Sequence, residues 1–520
     1  MAAEKAKGAL GRKLISGSAL RLSNLGLAVV SALILMPLMV HRLGDRGYGF
    51  WALASAFIGY YGLIDFGLSS AVSQYLCIAV GRKDEAESGA VFNTALRIQS
   101  LLGGVALVVT AVLAALAHWI CHNPADASLF WKVIVLLGIN AALAFPARVY
   151  TGLLEAQLRF DLQSSLELLA LVLRAGITAW VMLAGGGLLA LSWAMLMVSL
   201  PVMALQVGLG RREAPWARIR KSSYGRKRTG EFFSYSIYTF GASLADMLRF
   251  QVDALVITAL IGLAAVTHYR IASVLAKYFV SALVSITSLF QPVLSRLHGA
   301  GDHEKLERVF FFATKVSLCV SVFICSAVIG WGRPFVERWM GVRYEDAFVP
   351  MVLLALAVFL DVGQGPSVCL LYATFRHRYY TYMNAAEGVI NLVFSLLLAR
   401  PLGIIGVALG TLIGAAVIRV FVQPIVVCRV SGFAYLEYMR FLGNHLVRFL
   451  FFMGLAYLAL HWAIRPQYGW LAGSVLCAGC IFAVGSWFLG FTHAERQSFR
   501  DAIAARAHRH SDSGAATVSL

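Results

Sequence analysis

An all-α, polytopic membrane protein of about 14 transmembrane helices is the fold class this sequence predicts, arranged as two pseudo-symmetric six-helix bundles plus two extra C-terminal helices. Three observations predict it. Hydrophobic residues are 59% of the chain and charged residues 13%, far from the soluble average of about 25% charged. Such a surface would aggregate in water, so the solvent for most of the chain is lipid. Apolar runs of about 18 or more residues recur, each long enough to cross a hydrocarbon core of about 30 Å as a helix. Finally, a single ungapped shift of the chain against itself sets Gly44, Ala54, Ser70, Leu76, Gly81, Asp84, Phe92 and Ala95 on Gly262, Ala272, Ser288, Leu294, Gly299, Asp302, Phe310 and Ala313. Arg97 meets Lys315 in the same register. Apolar matches are cheap here, so the polar and glycine columns carry the weight. Transporters are often built from two related halves around a central site.

The runs lie near residues 17–40, 48–78, 91–118, 128–151, 162–184, 187–209, 232–259, 265–296, 308–330, 346–374, 379–399, 403–427, 443–463 and 467–491. The second is too long for one straight span, and Asp65-Phe66-Gly67 either bends it or opens a membrane-surface helix. Six runs fall on each side of a basic linker at 211–230, giving bundles at 14–210 and 231–428. The pair at 443–491 stands outside the repeat. Residues 492–520 mix His, Arg, Ser and Ala, as expected of a cytoplasmic, partly disordered tail. Gly406, Gly410 and Gly414 recur every four residues, which lets another helix approach closely. Cys477 and Cys480 form a C-x-x-C inside an apolar run, where small-residue packing is the expectation.

With the N-terminus inside, even-numbered loops and both tails hold roughly 28 Lys/Arg against roughly 8 outside, a positive-inside bias. Both termini are therefore expected in the cytoplasm. The formal charge of +18 is topological, and no soluble domain offers a groove for nucleic acid. The basic N-terminal stretch leads into a full-length span without an A-x-A cleavage pattern, so it is expected to be retained.

Ionisable residues inside spans carry the functional signal. Each costs roughly 2.5–3.5 kcal/mol at a helix centre, and about fourteen would together cost about 40 kcal/mol if they faced lipid. Most must face water or protein. Asp246, Arg249 and Asp253 share one face of the seventh run, and Arg270 and Lys277 share one face of the eighth. Glu167 and Arg174 repeat that seven-residue interval on the fifth, and Arg21 is joined by Ser18 and Asn24 on the first. Lining a common cavity would hydrate them all; internal ion pairs that fix helix register are the alternative. Arg270 and Lys277 have no carboxylate nearby in sequence, and two buried cations repel unless an anion lies between them. Arginine suits phosphate through its planar fork, so Arg21, Arg174, Arg249, Arg270 and Lys277 are the candidate contacts for an anionic cargo. Asp246, Asp253, Asp361 and Glu387 are candidates for carrying a coupling proton or Na+; for the last two, pairing with an arginine of another helix is equally open. Arg97 and Lys315, near helix ends, are expected to snorkel.

No P-loop, H-E-x-x-H or paired C-x-x-C pattern is present, so neither ATP hydrolysis by a P-loop nor a zinc site is expected. The outward loops are too short to carry catalytic groups, which argues against an enzyme. No cofactor is expected.

The segments Arg42-Leu43-Gly44, Tyr48-Gly49-Phe50-Trp51, Tyr61 to Leu68, Gly81 to Asp84 and Gly152 to Asp161 together resemble a polysaccharide (O-antigen type) flippase of the multidrug/oligosaccharidyl-lipid/polysaccharide exporter superfamily. Tyr269-Arg270-Ile271-Ala272 and Gln291-Pro292-Val293-Leu294 echo it more weakly in the second half. The resemblance implies two six-helix bundles around a cationic cavity in a bacterial inner membrane. It also implies flipping of an undecaprenyl-pyrophosphate-linked glycan by alternating access, among membrane lipid, a polysaccharide polymerase and other glycan-assembly proteins. The first and eighth helices border the cavity in such proteins, which matches Arg21, Arg270 and Lys277. A cation-coupled multidrug exporter is the alternative activity within the same superfamily. The loops Arg82-Lys83-Asp84 and Asp302, Glu304 and Lys305 come from opposite halves with opposite charges and are candidate gate residues.

Overall fold

The computed structural model of the chain describes residues 2–65, 68–82, 84–120, 124–219, 244, 247, 252–287, 290–493 and 495–497. Among them no strand occurs, and eleven helices are long and apolar enough to cross a membrane. The protein is a multi-pass membrane protein, as its composition requires. The expected first two spans form one continuous helical stretch, Ser23–Ile64. Drawn straight it would be about 63 Å long at 1.5 Å per residue, twice the hydrocarbon thickness. Gly44 breaks it, with φ 72° and ψ 169°, a conformation that a side chain resists and glycine allows. The expected seventh span lies mostly outside the described residues. In the eighth the described residues form helices Leu263–Thr287 and Phe290–Gly299; 288–289 lie outside the described residues.

Contacts divide the chain into two compact units, Met1–Arg270 with Ala399–Ile404, and Ile271–Leu398 with Ile405–Leu520. In the first, helices Glu85–Ala115 and Pro124–Ala156 share the broadest contact. Gly103 makes this possible, because a Cβ there would stand 2.7 Å from the Ala142 carbonyl oxygen. Leu76, Phe92, Phe145, Tyr150 and Leu153 fill the core, with the rings of Phe92 and Tyr150 edge to face at 5.5 Å. The break expected at Asp65 is present. Its carboxylate accepts from the Ser69 backbone N–H (3.1 Å) and hydroxyl (2.7 Å) and from Gln99 Nε2 (3.0 Å), and so opens helix Leu68–Gly81. Phe66 and Gly67 lie outside the described residues. Between helices Pro124–Ala156 and Phe160–Leu183, Arg159 grips Asp161 with two nitrogens (3.1 and 3.2 Å) and reaches Glu213 at 2.5 Å. That clamp ties the start of helix Phe160–Leu183 to the end of helix Leu188–Glu213.

In the second unit the long helix His303–Trp339 is the spine. Phe310 stacks on Phe433 at 5.3 Å and meets Tyr438 at 5.7 Å. The two helices outside the repeat, Tyr435–Leu460 and Tyr468–Gly485, close on the same spine: Trp331 Nε1 donates to Ser474 Oγ (2.8 Å), and Phe323 stacks on Phe482. The glycine series does what its spacing predicts. A Cβ on Gly406 would collide with the Leu398 carbonyl, one on Gly410 would lie 2.7 Å from the Ser395 nitrogen, and one on Gly414 2.9 Å from the Glu387 oxygen.

Equivalent columns of the repeat hold equivalent structural posts. Gly44 and Gly262 both adopt positive φ, 72° and 130°, at a helix-to-helix junction. Asp84 and Asp302 are both N-caps, accepting from the backbone N–H three residues on, Glu87 at 2.9 Å and Lys305 at 3.2 Å. Leu76 and Leu294, Phe92 and Phe310, Ala95 and Ala313 are each fully buried. Lys315 departs from the expectation of snorkelling. It is buried, and its Nζ donates to both oxygens of Glu495 at 2.7 and 2.8 Å, beside the rings of Phe441 and Phe491. Thr492 shapes the acceptor, donating its own N–H and hydroxyl to Glu495 Oε2.

Two predictions follow from these contacts. Gly410→Leu should destabilise the protein by roughly 1–3 kcal/mol, an overpacking cost, seen as a lower unfolding midpoint in detergent. Burial alone would push the Glu495 carboxyl up, but its bonds from Lys315 and Thr492 outweigh that and hold it below the ordinary 4.5. A depressed folded-state value means the pair contributes stability above 4.5 that is lost as pH falls through the lower value. The midpoint difference between wild type and Glu495→Gln should therefore be present at neutral pH and vanish on acidification well below 4.5.

Candidate functional site

Four helices of the first unit, Ala2–Gly59, Pro124–Ala156, Phe160–Leu183 and Leu188–Glu213, line a half-open cavity of about 530 Å³. That lies within the range of small-molecule sites, about 300–1,000 Å³. Its polar lining is Asn24, Thr151, Gln163, Glu167, Arg174 and Gln206; leucine, alanine and valine complete the wall. Glu167 and Arg174 reach it together because seven residues are two helical turns, which places both on one face. The same interval holds them about 10 Å apart along the axis, too far to neutralise one another. Among the described residues no carboxylate pairs with Arg174, and its side chain is exposed. A guanidinium so placed is solvated by whatever fills the cavity.

The amides around it are tied down by their nitrogens. Asn24 Nδ2 donates to the Ser164 carbonyl at 3.1 Å, and Gln163 Nε2 to Glu167 Oε1 at 3.2 Å. Gln206 Nε2 donates to the Ala147 carbonyl at 2.8 Å and to the Thr151 hydroxyl. The carbonyl oxygens of Asn24 and Gln163, and the Ser164 hydroxyl, are buried without a hydrogen-bond partner. Unmet acceptors of that kind cost about 1–3 kcal/mol each.

The second unit holds a different arrangement. Arg419 is wholly buried on a π-helical turn, Ala416–Val422. Its Nε lies 3.1 Å from Asp361 and its Nη2 2.8 Å from Glu387, and it donates to Asn384 (2.6 Å) and Gln423 (2.7 Å). The Tyr380 ring covers the guanidinium, 5.6 Å to its centre. Gln364 Nε2 donates to the Arg419 carbonyl (2.5 Å) and Gln423 Nε2 returns to the Gln364 carbonyl (3.2 Å), so the widened turn keeps its backbone satisfied.

Of the residues singled out from sequence, Glu167 and Arg174 share the cavity and Asn24 joins them from the first helix. Asp361 and Glu387 meet at Arg419, an inter-helix arginine. Asp253 is buried in the first unit and accepts from the Tyr269 hydroxyl at 2.5 Å. Arg270 and Lys277 project from helix Leu263–Thr287, half-buried and exposed respectively, and are not among the cavity's lining residues. The gate candidates are occupied locally: Arg82 with Glu87, Lys305 with Asp302, Arg308 with Glu304, and Asp84 as a cap. Lys83, Asp246, Arg249 and the Arg21 side chain lie outside the described residues. A search for ionisable side chains passes over Gln163, Thr151 and Gln206; neutral amides in apolar runs are the signal that finds them.

Residues 38–349 match a family described as polysaccharide biosynthesis protein. The membrane protein EpsK of Bacillus subtilis (strain 168) is 21% identical over 425 residues, 78% of this chain and 81% of that protein. Two solved structures share the fold. The lipid II flippase MurJ, in an inward closed conformation, has a TM-score of 0.71 at 15% identity, covering 94% of this chain and 100% of that one. An inward-facing multidrug resistance MATE family transporter of the MOP superfamily has a TM-score of 0.68 at 15% identity, covering 80% and 99%.

The Arg419 cluster gives a sharp stability test. Arg419→Met removes the guanidinium from the buried Glu387 and the partly buried Asp361 and should lose about 3–5 kcal/mol. Adding Asp361→Asn and Glu387→Gln to it should regain most of the loss, measured by chemical unfolding in detergent. A wild-type midpoint for Arg419→Met alone would contradict the ion pairs described.

Proposed function

The chain belongs to the polysaccharide biosynthesis protein family, and from that premise we propose that it is a transporter that flips an undecaprenyl-pyrophosphate-linked glycan across the bacterial inner membrane by alternating access. One observation carries this reading: Arg174, a cation without a carboxylate partner among the described residues, lines a cavity between the helices of the first unit. A guanidinium in low dielectric attracts an anion strongly, and its fork matches two phosphate oxygens at once. The pyrophosphate is therefore assigned to Arg174, with Arg21, Arg249, Arg270 and Lys277 as further candidate contacts, while the prenyl tail stays in lipid. The fold shared with a lipid II flippase supports a lipid-linked cargo. Asp361 and Glu387, which meet at Arg419, are the carboxylates proposed to carry a coupling proton or Na+.

Glu167 favours a second reading. A carboxylate in the same cavity suits a cationic drug, and the fold is shared with a multidrug transporter. The two readings separate cleanly. Deletion should leave a lipid-linked saccharide accumulating on the cytoplasmic leaflet, and purified protein in liposomes should move that lipid across. Arg174→Gln should slow flipping about 10–100-fold, the loss of one charge-assisted contact. Unchanged flipping in Arg174→Gln, or export of small cations without glycan movement, would overturn the proposal.

A further inference from the structure

Among the described residues only two that are not glycine adopt a positive φ, Leu158 at 54° and Phe375 at 56°. Both close a helix in the same way. The N–H of Leu158 donates to the Glu155 carbonyl (2.9 Å) and that of Arg159 to the Leu154 carbonyl (2.9 Å). In the second unit Phe375 donates to Tyr372 (3.2 Å) and Arg376 to Leu371 (2.8 Å). This paired pattern is the helix ending that favours glycine at its left-handed residue, and the chain uses glycine for it elsewhere. Gly185 and Gly301, at φ 77° and 69°, make the same two bonds after helices Phe160–Leu183 and Phe290–Gly299. The two exceptions are related. Leu153-Leu154-x-Ala156-x-Leu158-Arg159 and Leu370-Leu371-x-Ala373-x-Phe375-Arg376 share one pattern, one residue short of the register that sets Gly44 on Gly262.

A Cβ in this conformation crowds the following carbonyl oxygen, a cost that glycine is spared. Packing within the fold does little to return it, since Leu158 is 43% exposed and Phe375 82%. Strain kept at equivalent positions of both halves, with so little internal contact, points to a partner outside the protein. The bilayer is within reach of both. The helices that follow, Phe160–Leu183 and His377–Leu402, have 24 and 26 residues and so measure about 36 and 39 Å. Tight turns at Gly185 and Gly403 close their far ends. A helix of that length centred on a hydrocarbon core of about 30 Å ends inside the headgroup layer, which carries the bilayer to about 40–45 Å. Around Phe375 stand Arg376 and Arg378, exposed and without a carboxylate partner among the described residues, and the exposed rings of Tyr372 and Tyr382. Cations and amphipathic rings around an apolar tip suit that layer.

We infer that Leu158 and Phe375 are a matched pair of membrane anchors, one in each half, whose left-handed backbone turns an apolar side chain from a helix end into the lipid headgroup boundary. The partner is phospholipid: acyl chains take the apolar tip, and headgroup phosphates take the arginines beside Phe375. The anchors hold whatever cargo the protein moves.

The test places a nitroxide at Leu158→Cys and at Phe375→Cys in full-length protein whose native cysteines are replaced, reconstituted in vesicles of phosphatidylethanolamine and phosphatidylglycerol. Collision with oxygen, which dissolves among acyl chains, is compared with collision with a water-soluble nickel chelate. Both labels should favour oxygen several-fold. A reference label at Glu304→Cys, on the exposed first turn of helix His303–Trp339, should favour nickel. A second measurement needs no label. Leu158→Gly and Phe375→Gly relieve the backbone cost, so a role confined to the turn predicts unfolding midpoints in nanodiscs at or above wild type. Anchoring predicts midpoints below it. A label that favours nickel at either position would overturn the pair and point to a soluble partner instead. Glycine midpoints at or above wild type would overturn it as well.

Discussion

Charge inside a hydrocarbon slab has two stable fates, an opposite charge or water, and this chain uses both. Lys315 finds Glu495, Arg148 approaches Asp65, and Arg419 takes Asp361 and Glu387 together. Arg174 takes neither kind of protein partner among the described residues and stands in a cavity instead. The division between architecture and function follows from that difference. A paired guanidinium fixes helix register; one without a carboxylate partner has donors open to a ligand.

The Arg419 cluster shows how much local distortion such pairing requires. An α-helical turn would have closed the carbonyl of Arg419 into the ordinary ladder, but the π-helical turn Ala416–Val422 widens the helix, and Gln364 takes that carbonyl. Gly406, Gly410 and Gly414 bring the preceding helix against Leu398, Ser395 and Glu387, so the Glu387 side of the cluster is set by backbone contact. Replacing a buried ion pair with apolar residues often stabilises a protein, so the cluster's worth lies in the one alignment of three helices it permits.

Much of this was legible in sequence wherever the signal was local. Asp84 and Asp302 are recognisable as caps because an aspartate one residue before a helix can reach the third backbone N–H of that helix. The repeat found them as a pair, as it found the positive-φ junctions Gly44 and Gly262. The Gly152–Asp161 segment that resembles the flippase family proves to contain a clamp, Arg159 on Asp161 and Glu213. Long-range partners were another matter. Nothing near Lys315 in sequence names Glu495, 180 residues away, so position near a helix end suggested snorkelling where the fold supplies a carboxylate. Asp361 and Glu387 lacked basic neighbours for the same reason. Gln163 and Gln206 escaped because an uncharged amide costs too little in a membrane to stand out, although both line the cavity that holds Arg174.

That last point bears on how a carrier avoids holding its cargo too tightly. Each added cation deepens the well for a pyrophosphate, so a carrier must hold it less tightly in one state than in the other. Affinity that is uniform across the transport cycle gives no movement; only differences between states do. In the proposed reading Arg174 attracts the linker, and Glu167 two turns away in the same cavity tempers that attraction. The bond from Asn24 Nδ2 to the Ser164 carbonyl ties the first helix to helix Phe160–Leu183, so a shift of one against the other would break the hydrogen bonds that hold Arg174's helix in place. Binding and release of the linker would then depend on those hydrogen bonds, which is the economy that a membrane carrier for a polar headgroup requires.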